Sequence, residues 1–309
     1  MTDLREQPSP PGQQPHQAGP TEEDVIAVQR VLVTGAAGRI GRGVLDVLAR
    51  ESVAATALVL EDPGDLAADR VVVGDAGSPE VAARAVEGAD AVVHLAAIPT
   101  PMADPPEVVF GTNTMATFAV LDAAGRAGVR RAVIASSQAA WGTAFAQREL
   151  HPVYLPVDVD TPDQAADPYA LSKRTDELTA DMMARRHGMS VVALRYPFVG
   201  GMDERLRARA DEVARDPGLG ARNLWAYLET RDAAEAAWLA LAHRADGAQV
   251  VYVAAPDTLV PMPTAELLRR YHPDVPLRRP VEGYEVPIDL GPAERLLGFR
   301  ARHLVVGTP

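Results

Sequence analysis

The chain has no cysteine at all. Disulfides, thiol nucleophiles and cysteine-ligated metals are therefore excluded, no metal centre is expected, and the cysteine pairs that might speak for export are missing. No apolar run reaches the roughly 20 residues that a membrane-spanning helix needs. Residues 1–28, rich in Pro, Gln and Gly, show neither hydrophobic periodicity nor the charged-then-apolar order of a secretory signal, and are read as a disordered tail. With 47% hydrophobic residues in a length of 309, the remainder can bury one large core with a small lobe. The expectation is a soluble, cytoplasmic protein. A net charge of −12 and scattered arginines argue against nucleic acid or an anionic membrane as partner. Even Arg205, Arg207 and Arg209, alternating with Leu and Ala, read as a solvated helix face.

Lysine is the most informative scarcity. Among 30 Lys and Arg residues only Lys173 is a lysine, and it stands four residues after Tyr169 in Tyr169-Ala170-Leu171-Ser172-Lys173. A guanidinium spreads its charge over a plane and does not replace a compact ammonium beside a phenol. A composition that has otherwise moved to arginine keeps lysine where an ammonium is required; a solvated helix lysine is the plain alternative. The second feature is Thr34-Gly35-Ala36-Ala37-Gly38-Arg39-Ile40-Gly41, between the apolar run Val31-Leu32-Val33 and a helix pattern carried by Val44, Leu45, Val47 and Leu48. A strand that breaks into glycines and resumes as a helix is the setting of a dinucleotide site. Gly35 then serves the tight turn, Gly38 lets the backbone approach a pyrophosphate, and Gly41 lets helix and strand pack. The anion rests on the helix N-terminus, beside Ala37, Arg39 and Ile40.

Short β-branched runs at 31–34, 56–60, 71–74, 91–95, 131–136, 191–196 and 250–254 alternate with helical stretches at about 40–50, 79–87, 107–127, 168–187, 204–214, 232–243 and 264–270. Such alternation predicts an α/β fold, a Rossmann-type doubly wound parallel sheet covered on both faces. The expected organisation is a dinucleotide-binding core over 29–196 and a small substrate lobe over 197–309, interleaved with the last core elements. Ligands bind at the carboxyl ends of such strands. Glu61-Asp62 closes the second strand, where an acidic group binds both ribose hydroxyls and repels a 2′-phosphate, favouring NAD. The nearby Arg39 and Arg42 keep NADP as the alternative, and a simple turn is the other reading of Glu61-Asp62. Asp75, followed by Ala76, is placed to accept from an adenine amino group, or to cap the helix ahead of Pro79.

At the end of the fifth strand, Ser137 presents a hydroxyl opposite the helix of Tyr169. A phenol titrates near about 10 in water and becomes a useful base only when a cation stabilises its phenolate. Lys173, one helical turn away, supplies that cation. In this reading Tyr169 takes the proton of a substrate hydroxyl while the adjacent carbon gives up a hydride, and Ser137 hydrogen-bonds the same oxygen. Reversed, the same groups protonate an alkoxide.

Besides the blocks above, Gly74-Asp75, His94-Leu95-Ala96-Ala97, Asn113-Thr114-Met115-Ala116-Thr117, Ser136-Ser137-Gln138-Ala139-Ala140-Trp141-Gly142, Asp167-Pro168-Tyr169, Arg195-Tyr196-Pro197 and Arg231-Asp232 stand in order. Over nearly all of residues 30–300 the chain resembles an extended short-chain dehydrogenase/reductase, the NAD-dependent epimerase/dehydratase family. The resemblance implies that Ser137 is the catalytic hydroxyl and that the Leu95-Ala96-Ala97 backbone runs along the cofactor. It puts Asn113 near the active site as a structural or relay residue, and Tyr196-Pro197-Phe198-Val199 beside the nicotinamide. It also implies a homodimer through a four-helix interface of the 107–127 and 168–187 helices, with Ala119, Ala123, Ala124 and Ala127 permitting close approach. His94 is read as packing at a strand end.

Two departures narrow the reaction. The acidic pair that sugar-nucleotide dehydratases of the family carry after the catalytic hydroxyl is replaced by Gln138 and Ala139, neither of which transfers a proton. The asparagine usual in nucleotide-sugar epimerases is Phe198, and the stretch from Gly201 to Leu224 is short for gripping a nucleotide. The expectation is an NAD(P)-dependent oxidoreductase of a small hydroxy or keto substrate, a sugar or sugar acid, as in the compact sugar and uronate dehydrogenases of the family. A nucleotide-sugar epimerase with tightly held NAD and a catalytically idle NAD-binding protein remain as alternatives. Gln138, Phe198 and Trp225 are candidate substrate residues, and Trp141, Phe145 and Tyr227 candidate aromatic walls; Arg195 and Arg222 are candidate carboxylate partners, with Arg195 favoured as structural.

Overall fold

Near-continuous apolar runs, the pattern of strands buried on both faces, form most of the nine strands among the described residues. A computed structural model describes residues 28–243 and 246–305, so the expected tail lies outside the described residues but for Val28. The strands are β1 Arg30–Thr34, β2 Ala54–Val59, β3 Arg70–Val73, β4 Ala91–His94, β5 Arg131–Ser137, β6 Ser190–Tyr196, β7 Phe198–Gly200, β8 Tyr227–Glu229 and β9 Ala248–Tyr252. The helices are α1 Arg39–Arg50, α2 Pro79–Val86, α3 Pro106–Arg126, α4 Pro168–His187, α5 Arg207–Arg215, α6 Gly218–Ala221, α7 Thr230–Ala242, α8 Thr264–Tyr271 and α9 Gly291–Leu297.

Seven strands pair in parallel in the order β3-β2-β1-β4-β5-β6-β9. Side chains of α1, α7 and α9 pack on one face of the sheet and those of α2, α3 and α4 on the other. The chain runs outward from β1 to β3 and then returns to β4, so the order reverses beside β1, where a doubly wound sheet opens a crevice at its carboxyl ends. β7 and β8 form a separate parallel pair. They join a lobe whose core contains Leu206, Tyr227, Leu259 and Leu267, and which also gathers Trp141, Leu155 and Val157 from the loop before α4. β7, β8 and α6 have too few residues for a hydrophobic period to show, and the chain was not expected to form them. The helix expected at 204–214 begins instead as a wide π-type turn, Met202–Leu206, that runs into α5.

The α4 helix carries the Tyr/Lys pair. Asp167 starts it, accepting from the Ala170 N–H at 2.9 Å, Pro168 occupies the first turn where no N–H is needed, and Gly188 ends it at φ +64. Its buried face bears Tyr169, Lys173, Asp176, Glu177, Ala180 and Met183. Glu177 locks that face to the sheet. Its two oxygens accept from Arg195 Nε and Nη2 on β6 at 2.8 and 2.9 Å, and Oε1 also accepts from Ser136 at 2.6 Å. Arg174 pairs with it from the rim. Arg195 is therefore structural, and its Nη1 donates to the Tyr252 hydroxyl on β9 at 2.9 Å.

The alanines expected at a helix-helix interface do not lie together on an outer face. Ala119 and Ala124 are buried within the chain's own core, packed toward α4 and the sheet. The outward apolar residues are Val108, Met115 and Phe118 on α3, with Leu171 and Leu178 on α4. The reason is geometric: small residues let α3 approach its own neighbour α4, where a Cβ on Gly125 would come within 2.4 Å of the His187 ring.

Arg195 and Glu177 are 2% and 4% exposed, so Glu177→Gln strands a buried guanidinium and should lower stability by about 3–5 kcal/mol. Chemical denaturation at neutral pH measures this; an unchanged midpoint would count against the anchoring role. Burial raises the Glu177 carboxyl, but its bonds to Arg195, Ser136 and Arg174 prevail and hold it below the usual range. The stability it confers is thus present above about pH 4.3 and fades as the pH falls through the lower folded value.

Candidate active site

Two glycines of the β1–α1 turn are there because nothing larger fits. Gly35 has φ +62, and a Cβ on it would stand 2.8 Å from the Ala96 nitrogen; one on Gly41 would stand 2.4 Å from the Gly35 oxygen. The turn is thereby pressed against the chain leaving β4 and against the start of α1. Gly38 is the N-cap of α1, and no side chain caps the helix there. The first-turn N–H groups are left for an anion.

In front of this turn opens a cleft of about 1500 Å³, ample for a dinucleotide. The sequence-predicted residues Gly35, Ala37, Gly38, Arg39, Ile40, Gly41, Glu61, Asp75, Ala76, Leu95, Ala96, Ala97, Ser137, Gln138, Tyr169, Lys173, Tyr196, Pro197, Phe198 and Val199 all line it. Three do not. Asp62 turns back to accept from the Gly64 N–H at 2.8 Å. Asn113 is wholly buried, its Oδ1 accepting from Ile98 N at 2.7 Å and its Nδ2 donating to Ile98 O and to Ser172. It clamps the loop after β4 between α3 and α4. Trp225 is buried in the lobe, its indole N–H donating to Pro217 O at 2.7 Å and its ring packed against Tyr271 and His272. Trp141 and Tyr227 are core residues too, and Arg222 is exposed outside the cleft lining, with one N–H donating to the Ala146 carbonyl.

The two arginines that kept NADP open are both engaged with carboxylates. Arg42 pairs with Asp65 at 2.7 Å, and Arg39 forms a two-pronged pair with Glu204, which pulls that carboxyl down to about 2. Glu61 remains at the cleft edge. The donors present therefore fit NAD: a crowded glycine cradle, an uncapped helix end for the pyrophosphate, and a carboxylate on the adenosine side.

At the other end, Ser137 Oγ accepts from Ala139 N at 3.0 Å, starting a tight 3₁₀ turn, Gln138–Trp141. Its own hydrogen stays available. The edge of the Phe145 ring meets Tyr169 at a centroid separation of 5.8 Å. Lys173 Nζ lies 5.9 Å from the centre of the Tyr169 ring, donating to Ala135 O at 2.9 Å and to Asp176 Oδ2 at 3.2 Å. An ammonium has three donors, which leaves one for the cleft that Lys173 lines. Burial opposes its charge, but Asp176, Tyr169 and Glu177 outweigh that and raise it above the ordinary lysine value. Lys173 is cationic. His94, by contrast, is pushed down to about 3 by burial and by the Lys173 charge, so it is neutral.

Some residues at the site were not anticipated. Arg205 and Arg209, expected on a solvated face, line the cleft from the lobe side, and only Arg207 lies in solvent. Arg205 stacks over Phe198 at 4.1 Å and runs across Gly200, where a Cβ would meet its Cγ at 2.3 Å. The glycine pair Gly200-Gly201 was the available signal. Asp176, the counter-ion of Lys173, carried none.

Comparison with known proteins agrees with this geometry. Residues 31–255 match the NAD dependent epimerase/dehydratase family. A UDP-glucose 4-epimerase of Azospirillum brasilense is 33% identical over 196 residues, 59% of this chain and 52% of its own length. A uronate dehydrogenase of Pseudomonas syringae pv. tomato is 31% identical over 171 residues, 54% of this chain and 58% of its own length. The chain thus spans little more than half of these relatives. A crystal structure of a short-chain dehydrogenase/reductase superfamily protein from Agrobacterium tumefaciens with bound NAD superimposes with a TM-score of 0.68 at 25% identity, covering 89% of this chain and 93% of that one. The glycine cradle, the parallel sheet and the family match carry one conclusion: this chain belongs to the NAD dependent epimerase/dehydratase family of extended short-chain dehydrogenases/reductases.

Proposed function

We propose that the chain is an NAD-dependent oxidoreductase acting on a small hydroxy or keto substrate, a sugar or sugar acid, with Tyr169 as acid/base. The observation that carries the reading is the burial of the chain's single lysine beside the Tyr169 ring at the end of a dinucleotide-sized cleft. NAD, held on the glycine turn, supplies the hydride acceptor. Ser137 donates its hydrogen to the substrate oxygen, the Lys173 ammonium stabilises Tyr169 as the phenolate, and that phenolate takes the oxygen's proton and becomes the phenol. In the other direction Tyr169 returns the proton.

The substrate side supports a small polyol or its acid. Gln138 donates its amide N–H to Asn223 O at 2.6 Å, while its Oε1 is buried without a partner. A buried acceptor left unpaired costs about 1–3 kcal/mol, and a substrate hydroxyl beside the reacting carbon would satisfy it. Arg205 offers positive charge on the facing wall, suited to the carboxylate of a sugar acid, while Arg209 beside it is paired with Glu212 and the Leu219 carbonyl. The Arg205 charge also suits a diphosphate, and with the likeness to an epimerase this sustains a second reading, a nucleotide-sugar epimerase that regenerates its NAD. Neither Gln138 nor Ala139 exchanges a proton, so nothing supports dehydration.

The reading includes a cytoplasmic location and a homodimer. Among the described residues no helix is long and apolar enough to cross a membrane. Val108, Met115, Phe118, Leu171 and Leu178 expose apolar surface on the adjacent helices α3 and α4, and a second copy would cover it in a four-helix packing.

The deciding assay incubates the chain with NAD or NADP and free sugars, uronic acids, small alcohols or nucleotide-sugars, following reduced nicotinamide and the products. Reduced NAD formed with a small substrate supports the dehydrogenase; a flat trace with an epimerised nucleotide-sugar establishes the isomerase. Tyr169→Phe should lower turnover by about 100-fold or more and leave NAD affinity, read by calorimetry, within a few-fold. Gln138→Leu should raise KM for a polyol by about tenfold or more without weakening NAD. In sedimentation the chain should run as a dimer and Phe118→Glu/Leu178→Glu as a monomer; a monomeric parent at micromolar concentration would remove the dimer.

A further inference from the structure

Asp176 has no part in the reaction as derived so far, yet it is among the least accessible carboxylates of the described residues. It lies one helical turn beyond Lys173 on the buried face of α4, and the two side chains are 1% and 5% exposed with Nζ 3.2 Å from Oδ2. Polar groups are placed around it in a fixed order. Thr34 Oγ1 accepts from both Leu95 N and Ala96 N at 3.1 Å, so its hydrogen must go to His94 Nδ1, 2.8 Å away. His94 then carries its proton on Nε2 and donates to Thr117 Oγ1 at 3.2 Å. Thr117 in turn favours the charged form of Asp176, whose Oδ1 is buried without a hydrogen-bond partner. The same turn of chain that presents Ala96 to the cleft thus orients, through three side chains, the surroundings of the Lys173 counter-ion.

We infer that Asp176 is a positioning residue of the reaction, the buried counter-ion that holds Lys173 beneath Tyr169 and sets the pH at which the Tyr169–Lys173 pair releases its proton. This rests on the reading of Tyr169 as the acid/base. The other charges facing the site are balanced elsewhere. Glu177 on α4 is taken up by Arg195 of β6, Arg174 and Ser136. Arg195 is further held by Tyr252 of β9, and His94 of β4 is neutral, pushed down to about 3 by burial and the Lys173 charge. α3 contributes only the Thr117 hydroxyl. The Lys173 charge is therefore answered by Asp176, and burial lifts the Asp176 carboxyl above its ordinary range against the opposing pull of Lys173 and Thr117. A negative charge at this distance raises the proton affinity of the coupled pair, whichever member gives the proton up.

Asp176→Asn keeps the shape and removes the charge. In the pH profile of kcat/KM for oxidation its acid-side limb should move to lower pH by about one unit or more, while Asp176→Glu, which keeps the charge, should leave the limb within about half a unit of the parent. A limb that stays in place or moves up in Asp176→Asn, with or without a lower kcat, overturns the proposal; a merely structural role would lower the rate and leave the limb where it was. A second measurement needs no turnover. Near-ultraviolet tyrosinate absorbance of the NAD-bound chain, taken as the difference from Tyr169→Phe in the same background, should appear at lower pH in Asp176→Asn, and an unshifted onset overturns the proposal equally. If no substrate is oxidised, the proposed activity fails and the titration still decides Asp176. Should Asp176→Asn not fold, Asp176→Ala, equally neutral, is titrated in its place with the same expected shift.

Discussion

The rest of the structure depends on keeping one ammonium charged inside a protein. Burying an ion costs several kcal/mol unless acceptors meet it there, and Lys173 is met by the Ala135 carbonyl and the Asp176 carboxylate. Those acceptors come from different elements, the carboxyl end of β5 and the inner face of α4, so helix and sheet must be held in one register. The Glu177 bonds to Arg195 and Ser136 hold it. Polar residues that look misplaced on the buried face of α4 are thus the reason that the helix lies where Tyr169 reaches the cleft.

The cleft has two unlike walls. On the sheet side it is rigid backbone: glycines that tolerate no Cβ, strand ends, and an uncapped helix terminus whose N–H groups point at the space a pyrophosphate would fill. On the lobe side it is arginine, with Arg205 laid over Phe198 and crossing Gly200. The Arg39–Glu204 pair joins the two walls. Backbone donors and fixed dipoles suit a ligand of constant shape, whereas long charged side chains on a short lobe suit a small, variable one. The division of labour follows from which wall the parallel sheet makes stiff.

Much of the fold was legible wherever a segment was long enough to repeat its period. All seven strands of the large sheet and the long helices were expected within a few residues of where they lie, because parallel strands buried on both faces leave unbroken apolar runs. β7 and β8, three residues each, exist only because they pair with one another and with the lobe core. The lobe arginines were misread for a related reason. Alternation with Leu and Ala on a helix states which residues share a face but not what that face looks at; the turn before α5 swings Arg205 and Arg209 onto the cleft while Arg207 points to solvent. Trp225 failed in the opposite sense, since an aromatic side chain in a suggestive place proved to satisfy a buried backbone carbonyl instead; Asn113 has the structural half of its two expected roles, bonding Ile98 and Ser172 and not lining the cleft.

By itself the sequence determined the local chemistry: a strand, a glycine turn and a helix in succession, and a tyrosine one helical turn from the only lysine. Both are short-range patterns, dictated by backbone conformations that only glycine adopts and by the pitch of a helix. The tertiary structure alone decided which charges meet across the chain. Arg195 reaches Glu177, Arg39 reaches Glu204, and the hydroxyls of Thr34 and Thr117 reach His94. Such pairings join residues far apart in sequence, and their energies depend on burial, which a side chain acquires only when the remaining elements close over it.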